Sequence, residues 1–150
     1  MAASPADTAQ AHALGGVIVA DATAPGPAAR APCGTRYVFR PGADAVPGTR
    51  HAIDVEARGI PAPAPLRAFL GGVGTDAAMR YWTVLETVAK LADVPVLSLL
   101  KHHGRAALPG LTAPTGTIDH DGLRIRYERC DTDRLWAVAA ATCEREPLDG

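Results

Sequence analysis

The sequence predicts an α+β fold in which an antiparallel sheet packs on a central pair of helices. Three observations support this prediction. Residues 116–143 have the alternation and turns of a three-stranded β-meander, and residues 51–58 alternate in the same way. Residues 76–93 carry apolar side chains at spacings of three and four, which is typical of an amphipathic helix.

The chain is long enough for one hydrophobic core. It has 150 residues, of which 47% are hydrophobic and 21% charged. Residues 1–34 are rich in Ala, Pro and Gly, so we expect a flexible tail in which the apolar segment 16–20 can dock as a short strand. A single α+β domain is expected over 35–146, followed by a short tail at 147–150.

Before the helices we expect one or two further strands. The first candidate is Arg36–Arg40, which Pro41 ends. The second is the alternating segment 51–58, whose Ile53 and Val55 are expected to be buried. Asp54, on the opposite face with Glu56, is expected to point to solvent.

Three helices are expected between the strands. A short one begins at Pro65 and runs through Leu70. The main helix covers about 76–93, with Thr75 or Asp76 as its cap. A third starts at Pro95 and ends before Gly104, which places Lys101, His102 and His103 in its last turn, where cations complement the helix dipole.

The meander can be aligned residue by residue. Asp121-Gly122 is a preferred pair for a two-residue type I′ turn, which sets Ile118 opposite Ile125 and Thr117 opposite Arg126. The next turn lies within 131–133, and the apolar pattern favours a two-residue loop there. The residues then expected to share the buried face are Ile118, Ile125, Tyr127, Trp136 and Val138.

Charge and cysteine content limit the classes of function. The net charge is −1, so the chain has no overall basic field for nucleic acids or membranes. No run approaches the about 20 apolar residues that a membrane span requires. The three cysteines (Cys33, Cys130 and Cys143) have no paired spacing. Scattered cysteines indicate reduced thiols and therefore a cytoplasmic protein.

The candidate functional residues are few. Lys101–Arg105 is the densest basic cluster, suited to phosphate or RNA-backbone contact or to acid–base chemistry by His102 or His103; the alternative is a solvated helix end. Adjacent histidines do not share a helix face, and His120 is expected to be a turn residue. We therefore predict no metal site and no cofactor. Arg126 faces only a threonine across the hairpin, which leaves it available to a polyanion.

The segment Leu100–Leu111, followed by Gly122–Tyr127 and a closing apolar strand, is similar to the C-terminal half of RelE/HigB-like ribonuclease toxins. In that family basic residues, with a late Tyr or His, act on ribosome-associated mRNA. The matching residues in this chain are Lys101, Arg105, Arg126 and Tyr127. The similarity covers less than half of the chain, which differs in its long N-terminal extension and its acidic segment 144–146.

A well-patterned core without a catalytic constellation favours a small cytoplasmic ligand- or partner-binding accessory protein, which could form a homodimer through a sheet face or edge. Two enzyme classes remain as alternatives. One is a metal-independent ribonuclease. The other is a small-molecule cyclase or isomerase with a pocket between helix and sheet. The candidate catalytic residues are Lys101, His102, His103, Arg105, Arg126 and Tyr127.

Overall fold

A computed structural model describes residues 8–11, 16–30, 34–42 and 49–143. Within these ranges the strands form two antiparallel sheets, with strand orders β1-β2-β4-β3 and β5-β8-β7-β6. The strands are β1 Thr8–Ala11, β2 Gly16–Ala20, β3 Ala28–Arg30, β4 Arg36–Pro41, β5 His51–Ala57, β6 Thr115–His120, β7 Leu123–Arg129 and β8 Leu135–Cys143. The helices are α1 Ala64–Phe69, α2 Thr75–Ala92, α3 Val96–His103 and α4 Leu108–Leu111.

The predicted α+β class is confirmed, because α2 packs across strands β5, β7 and β8 of the C-terminal sheet. The main core lies between this sheet and the helices. Its largest buried side chains include Tyr81, Leu85, Leu99, Tyr127 and Trp136. No helix in the described ranges is long and apolar enough to cross a membrane.

The N-terminal sheet covers the other face of the C-terminal sheet. Ile18 of β2 and Phe39 of β4 belong to one buried cluster with the small residues Ala137 and Ala139 of β8. Strands β1, β2 and β3 all lie within the stretch 1–34 that composition describes as a flexible tail, and β2 and β3 both pair with β4. The reason is packing: the alanine face of β8 leaves room for Ile18 of β2, together with the aromatic residues of β4.

The register of the meander matches its prediction. Ile118 pairs with Ile125 and Thr117 with Arg126. The turn residues Asp121 and Gly122 have φ angles of 46° and 82°, as a type I′ turn requires.

The second loop also has two residues, but it lies at 133–134 and not within the predicted 131–133. The N–H of Thr132 donates to the carbonyl oxygen of Leu135 at 3.0 Å, so residues 133–134 form the connection. This register turns Trp136 and Val138 onto the helix-facing side with Tyr127, as the hydrophobic pattern predicts. Arg126 is exposed on the other side.

One sequence prediction about β5 is wrong. Asp54 does not face solvent; it is buried, with 6% of its surface exposed, and Glu56 is half-buried. The cause is that α2 lies over this face of the strand, while Ile53 and Val55 pack toward the N-terminal sheet. A strand covered on both faces buries its polar residues as well, which period-two alternation alone does not reveal.

The close contact between Gly116 and Tyr127 provides a test of this packing. A methyl group at Gly116 would lie 2.6 Å from a ring carbon of Tyr127. We expect Gly116→Ala to lower the free energy of unfolding by about 1–3 kcal/mol, measured by urea denaturation, because the ring has to move. The matched control is Gly110→Ala, at a helical position with open space, where stability should stay equal or rise slightly. Equal losses in both variants would contradict this packing.

Candidate functional site

Helix α3 brings the predicted basic cluster to one corner of the molecule. Leu99 and Leu100 are buried in the main core and fix the helix against α2. The helix ends at Gly104, whose φ of 60° turns the chain away. The hydroxyl of Tyr81 donates to the carbonyl oxygen of Gly104 at 2.6 Å. The last turn of α3 is therefore held in a fixed place, with His102 exposed and His103 half-buried.

A third histidine joins these two. His120 is the last residue of β6, on the same face as Ile118 and therefore on the side of the helices. One ligand nitrogen from each of His102, His103 and His120 lies within 4.8 Å of the other two. The ring centroids of His102 and His120 are 5.5 Å apart, and those of His103 and His120 are 6.1 Å apart. We call this group the histidine cluster.

Two imidazoles of the histidine cluster, those of His103 and His120, are half-buried. The Nε2 atom of His103 is buried and has no hydrogen-bond partner. Burial lowers the pKa of His103, and the nearby His102 and His120 lower it further, which favours the neutral form of the ring. The Nε2 atom of His120 is 3.5 Å from a carboxylate oxygen of Asp121.

A pocket lies beside the cluster, between the α3–α4 segment and strands β6 and β7. It has a volume of about 340 Å³, and both His103 and Tyr127 line it, so the structure brings these two sequence-predicted residues together. The Tyr127 hydroxyl lies 3.0 Å from the carbonyl oxygen of Gly110 and 3.2 Å from that of Ala113, to which it donates. Burial raises the pKa of this phenol. Its proton is therefore engaged by the backbone.

The other predicted site residues, Lys101, Arg105 and Arg126, do not meet in one site. Lys101 and Arg105 are exposed near the end of α3, and the guanidinium of Arg105 lies against Gly71. Arg126 alternates with Tyr127 along β7, so it projects from the sheet face opposite to the helices. The sheet therefore separates Arg126 from Lys101.

A second concave surface lies between α1, α2 and α3, which we call the helical groove. It has a volume of about 390 Å³ and is mostly apolar. Phe69 and Leu97 on its walls have 47% and 58% of their surface exposed, an unusual exposure for large apolar residues. Its lining residues are Pro63, Pro65, Leu66, Phe69, Trp82, Leu97, Leu100 and Lys101.

Sequence reasoning missed the helical groove because each of its walls has an ordinary amphipathic pattern. Leu97 and Leu100 are both apolar residues of α3, yet only Leu100 is buried. A signal was present in α3, where apolar residues extend beyond one face of the helix. Whether such an extra residue contacts another element or solvent depends on how the helices are placed.

Three arginines surround Trp136 at one end of the C-terminal sheet. The guanidinium carbons of Arg58, Arg80 and Arg129 lie 4.2, 5.6 and 5.9 Å from the ring centroid. Arg129 also makes two hydrogen bonds to the carboxylate of Asp131, at 2.6 and 2.8 Å. These contacts stabilise the sheet end by cation–π attraction and charge pairing.

A buried carboxylate lies under α2. Lys90 Nζ is 3.6 Å from Oδ1 of Asp54, while Oδ2 has no hydrogen-bond partner. The ammonium group of Lys90 donates instead to the carbonyl oxygen of Ile53 at 2.7 Å. Burial raises the pKa of Asp54 to about 7; Lys90 opposes this shift, and Glu56 and Glu86 add to it.

This shift predicts how Asp54 affects stability. The folded-state pKa lies above the unfolded value of 3.8, so between pH 4 and 7 the native state holds a proton that the unfolded state has released. The contribution of Asp54 therefore falls as pH rises through this window. We expect Asp54→Asn to lose that component when urea unfolding is compared at pH 5 and pH 8. The exposed Asp119→Asn serves as control; an unchanged pH dependence in Asp54→Asn would contradict the assignment.

Comparison with known proteins adds no relative. No protein-family model matches the chain, no curated protein matches its sequence, and no solved structure matches its fold.

Proposed function

We propose that this protein binds a small amphipathic carboxylate, with its hydrocarbon part in the helical groove and its anionic head at Lys101. The observation that carries the proposal is the composition of the groove, whose walls are apolar except for this single lysine. The proposal keeps the protein in the ligand-binding class that the sequence favours.

The groove has the properties of a small-molecule site. Its volume of about 390 Å³ falls in the range of such sites, and one polar group in an apolar lining is their usual pattern. Phe69 and Leu97 are exposed, so covering them removes apolar surface from water at roughly 25 cal/mol per Å². Because three helices form the walls and Leu66 and Leu100 are buried, the site needs little ordering on binding.

The charge of the ligand follows from Lys101. Among the described residues no carboxylate lies within ion-pair distance of its ammonium group, which is exposed at the end of α3. The aliphatic stem of a lysine can lie along apolar surface while the charged end stays in water. A ligand with a hydrocarbon chain and a carboxylate matches both parts, whereas a cationic amphiphile would be repelled.

The separation of the cationic residues weighs against the ribonuclease alternative. Lys101 and Arg126 lie on opposite sides of the C-terminal sheet, so one RNA backbone cannot contact both at the same point. The pocket beside His103 is where cyclase or isomerase chemistry would take place. There the Tyr127 hydroxyl donates to backbone carbonyls and Nε2 of His103 is buried, which favours binding over proton transfer.

The proposal includes the cytoplasmic location expected from the cysteines. Cys130 is a free, buried thiol whose pKa is raised to about 12, chiefly by burial. Such a thiol is unreactive. The side chains of Cys33 and Cys143 lie outside the described residues. A homodimer through a sheet edge stays a prediction, with β6 as one outer strand available for it.

Trp82 lines the groove and reports on its occupancy. We expect decanoate to change the emission of Trp82 in a saturable way, measured in Trp136→Phe protein with EDTA present. Decylammonium should bind at least about tenfold more weakly, because it places a second cation beside Lys101. Lys101→Glu should reverse this preference. Arg126→Glu, which changes an exposed cation on the other face of the sheet, should leave both affinities unchanged.

Two results would contradict this proposal. One is an emission of Trp82 that does not respond to decanoate in protein shown to be folded by circular dichroism. The other is equal binding of decanoate and decylammonium that Lys101→Glu does not alter, which would indicate non-specific adsorption of hydrocarbon.

A further inference from the structure

We propose that His102, His103 and His120 together bind a divalent transition-metal ion of the zinc class. This site is separate from the helical groove, and neither proposal depends on the other. The proposal rests on the convergence of three imidazoles from two elements and on a buried ring nitrogen that has no partner.

The distances between the imidazole nitrogens are close to those of a metal site. In tetrahedral zinc sites the metal–nitrogen distance is about 2.0–2.1 Å, which places neighbouring ligand nitrogens about 3.4 Å apart. In the histidine cluster all ligand nitrogens lie within 4.8 Å of one another. Rotation of the imidazole side chains would have to close this difference. The three residues stand at the ends of α3 and β6.

The protonation state also suits a metal. Only a neutral imidazole has a lone pair to donate, and three adjacent charged rings would repel one another. Burial and the two neighbouring rings lower the pKa of His103, which favours this neutral form. Its Nε2 atom is buried without a hydrogen bond, which costs free energy in the absence of a ligand. A metal ion would satisfy this nitrogen.

The chemistry of the ligands selects the class of ion. Three imidazole nitrogens favour zinc, copper, nickel or cobalt, whereas magnesium and calcium prefer oxygen ligands. The carboxylate of Asp121, 3.5 Å from Nε2 of His120, is placed to orient that ring with Nδ1 toward the metal. Three protein ligands leave a fourth coordination position for water or an exogenous ligand, as in open zinc sites.

The scaffold around the cluster is fixed by the main core. Leu99 and Leu100 anchor α3, and Ile118 anchors β6. The turn at Asp121 and Gly122 then directly follows His120. Because these elements are packed before any metal arrives, a bound ion would join the end of α3 to the tip of the β6–β7 hairpin and raise the stability of the folded state.

The experiment titrates Zn²⁺ into untagged, chelator-treated protein by calorimetry, with Co²⁺ absorption spectra as a second readout. We expect one ion per chain, a tetrahedral Co²⁺ spectrum, no binding of Mg²⁺, and lower affinity at acidic pH, because protons compete with metal ions for imidazole nitrogens. Removal of a direct ligand by His120→Ala or His102→Ala should weaken Zn²⁺ binding at least about 100-fold.

His51→Ala is the matched control, since His51 stacks on Phe39 in the other half of the molecule. It should bind Zn²⁺ as the unmodified chain does. Thermal unfolding in EDTA shows whether each variant is folded, and if His120→Ala is not, His102→Ala at its exposed position gives the same test. Zinc affinity that is unchanged in a folded His102→Ala or His120→Ala variant would overturn the proposal, and so would a chain that binds no zinc.

Discussion

The architecture depends on strand β8, which is covered on both faces. Its two sets of alternating side chains differ in size: Trp136 and Val138 face the helices, while Ala137 and Ala139 face the N-terminal sheet. The large residues fill the space under α2, and the small ones allow a second layer of strands to approach closely. A shift of one residue in the register of β8 would exchange these faces and expose the main core. Within the C-terminal sheet β5 and β7 pair with this strand directly, and β6 is joined to it through β7.

Helix α3 connects the core to both candidate sites. Its buried side, with Leu99 and Leu100, is held by α2, and its exposed side contributes Leu97 to the helical groove. Its last turn supplies Lys101 to the rim of that groove and two rings to the histidine cluster. The two sites therefore use different side chains of one rigid element. Because Lys101 and His102 are neighbours in α3, a metal ion in the histidine cluster would also add positive charge near the rim of the groove.

Two buried polar atoms without hydrogen-bond partners lower the stability of the folded state. Asp54 has one carboxylate oxygen without a hydrogen-bond partner. The other oxygen lies within ion-pair distance of the Lys90 ammonium group of α2. An unpaired buried oxygen destabilises the folded state. The buried Nε2 atom of His103 carries a similar cost, but it lies next to two other imidazoles. The two places differ in their neighbours: beside Asp54 lies an ammonium group that opposes the rise in pKa without cancelling it, whereas beside His103 lie further potential ligands.

The sequence by itself determined the local elements: the type I′ turn at Asp121 and Gly122, the pairing of Ile118 with Ile125, and the helical periodicity of α2. These follow from side-chain periodicity and turn chemistry, which act between residues close in the chain. Only the tertiary structure decided that His120 meets His102 and His103, that Asp54 is buried, and that strands from the first 34 residues cover β8. Each of these depends on which element covers which face, and a periodic pattern shows that a face is apolar or polar without showing what packs against it.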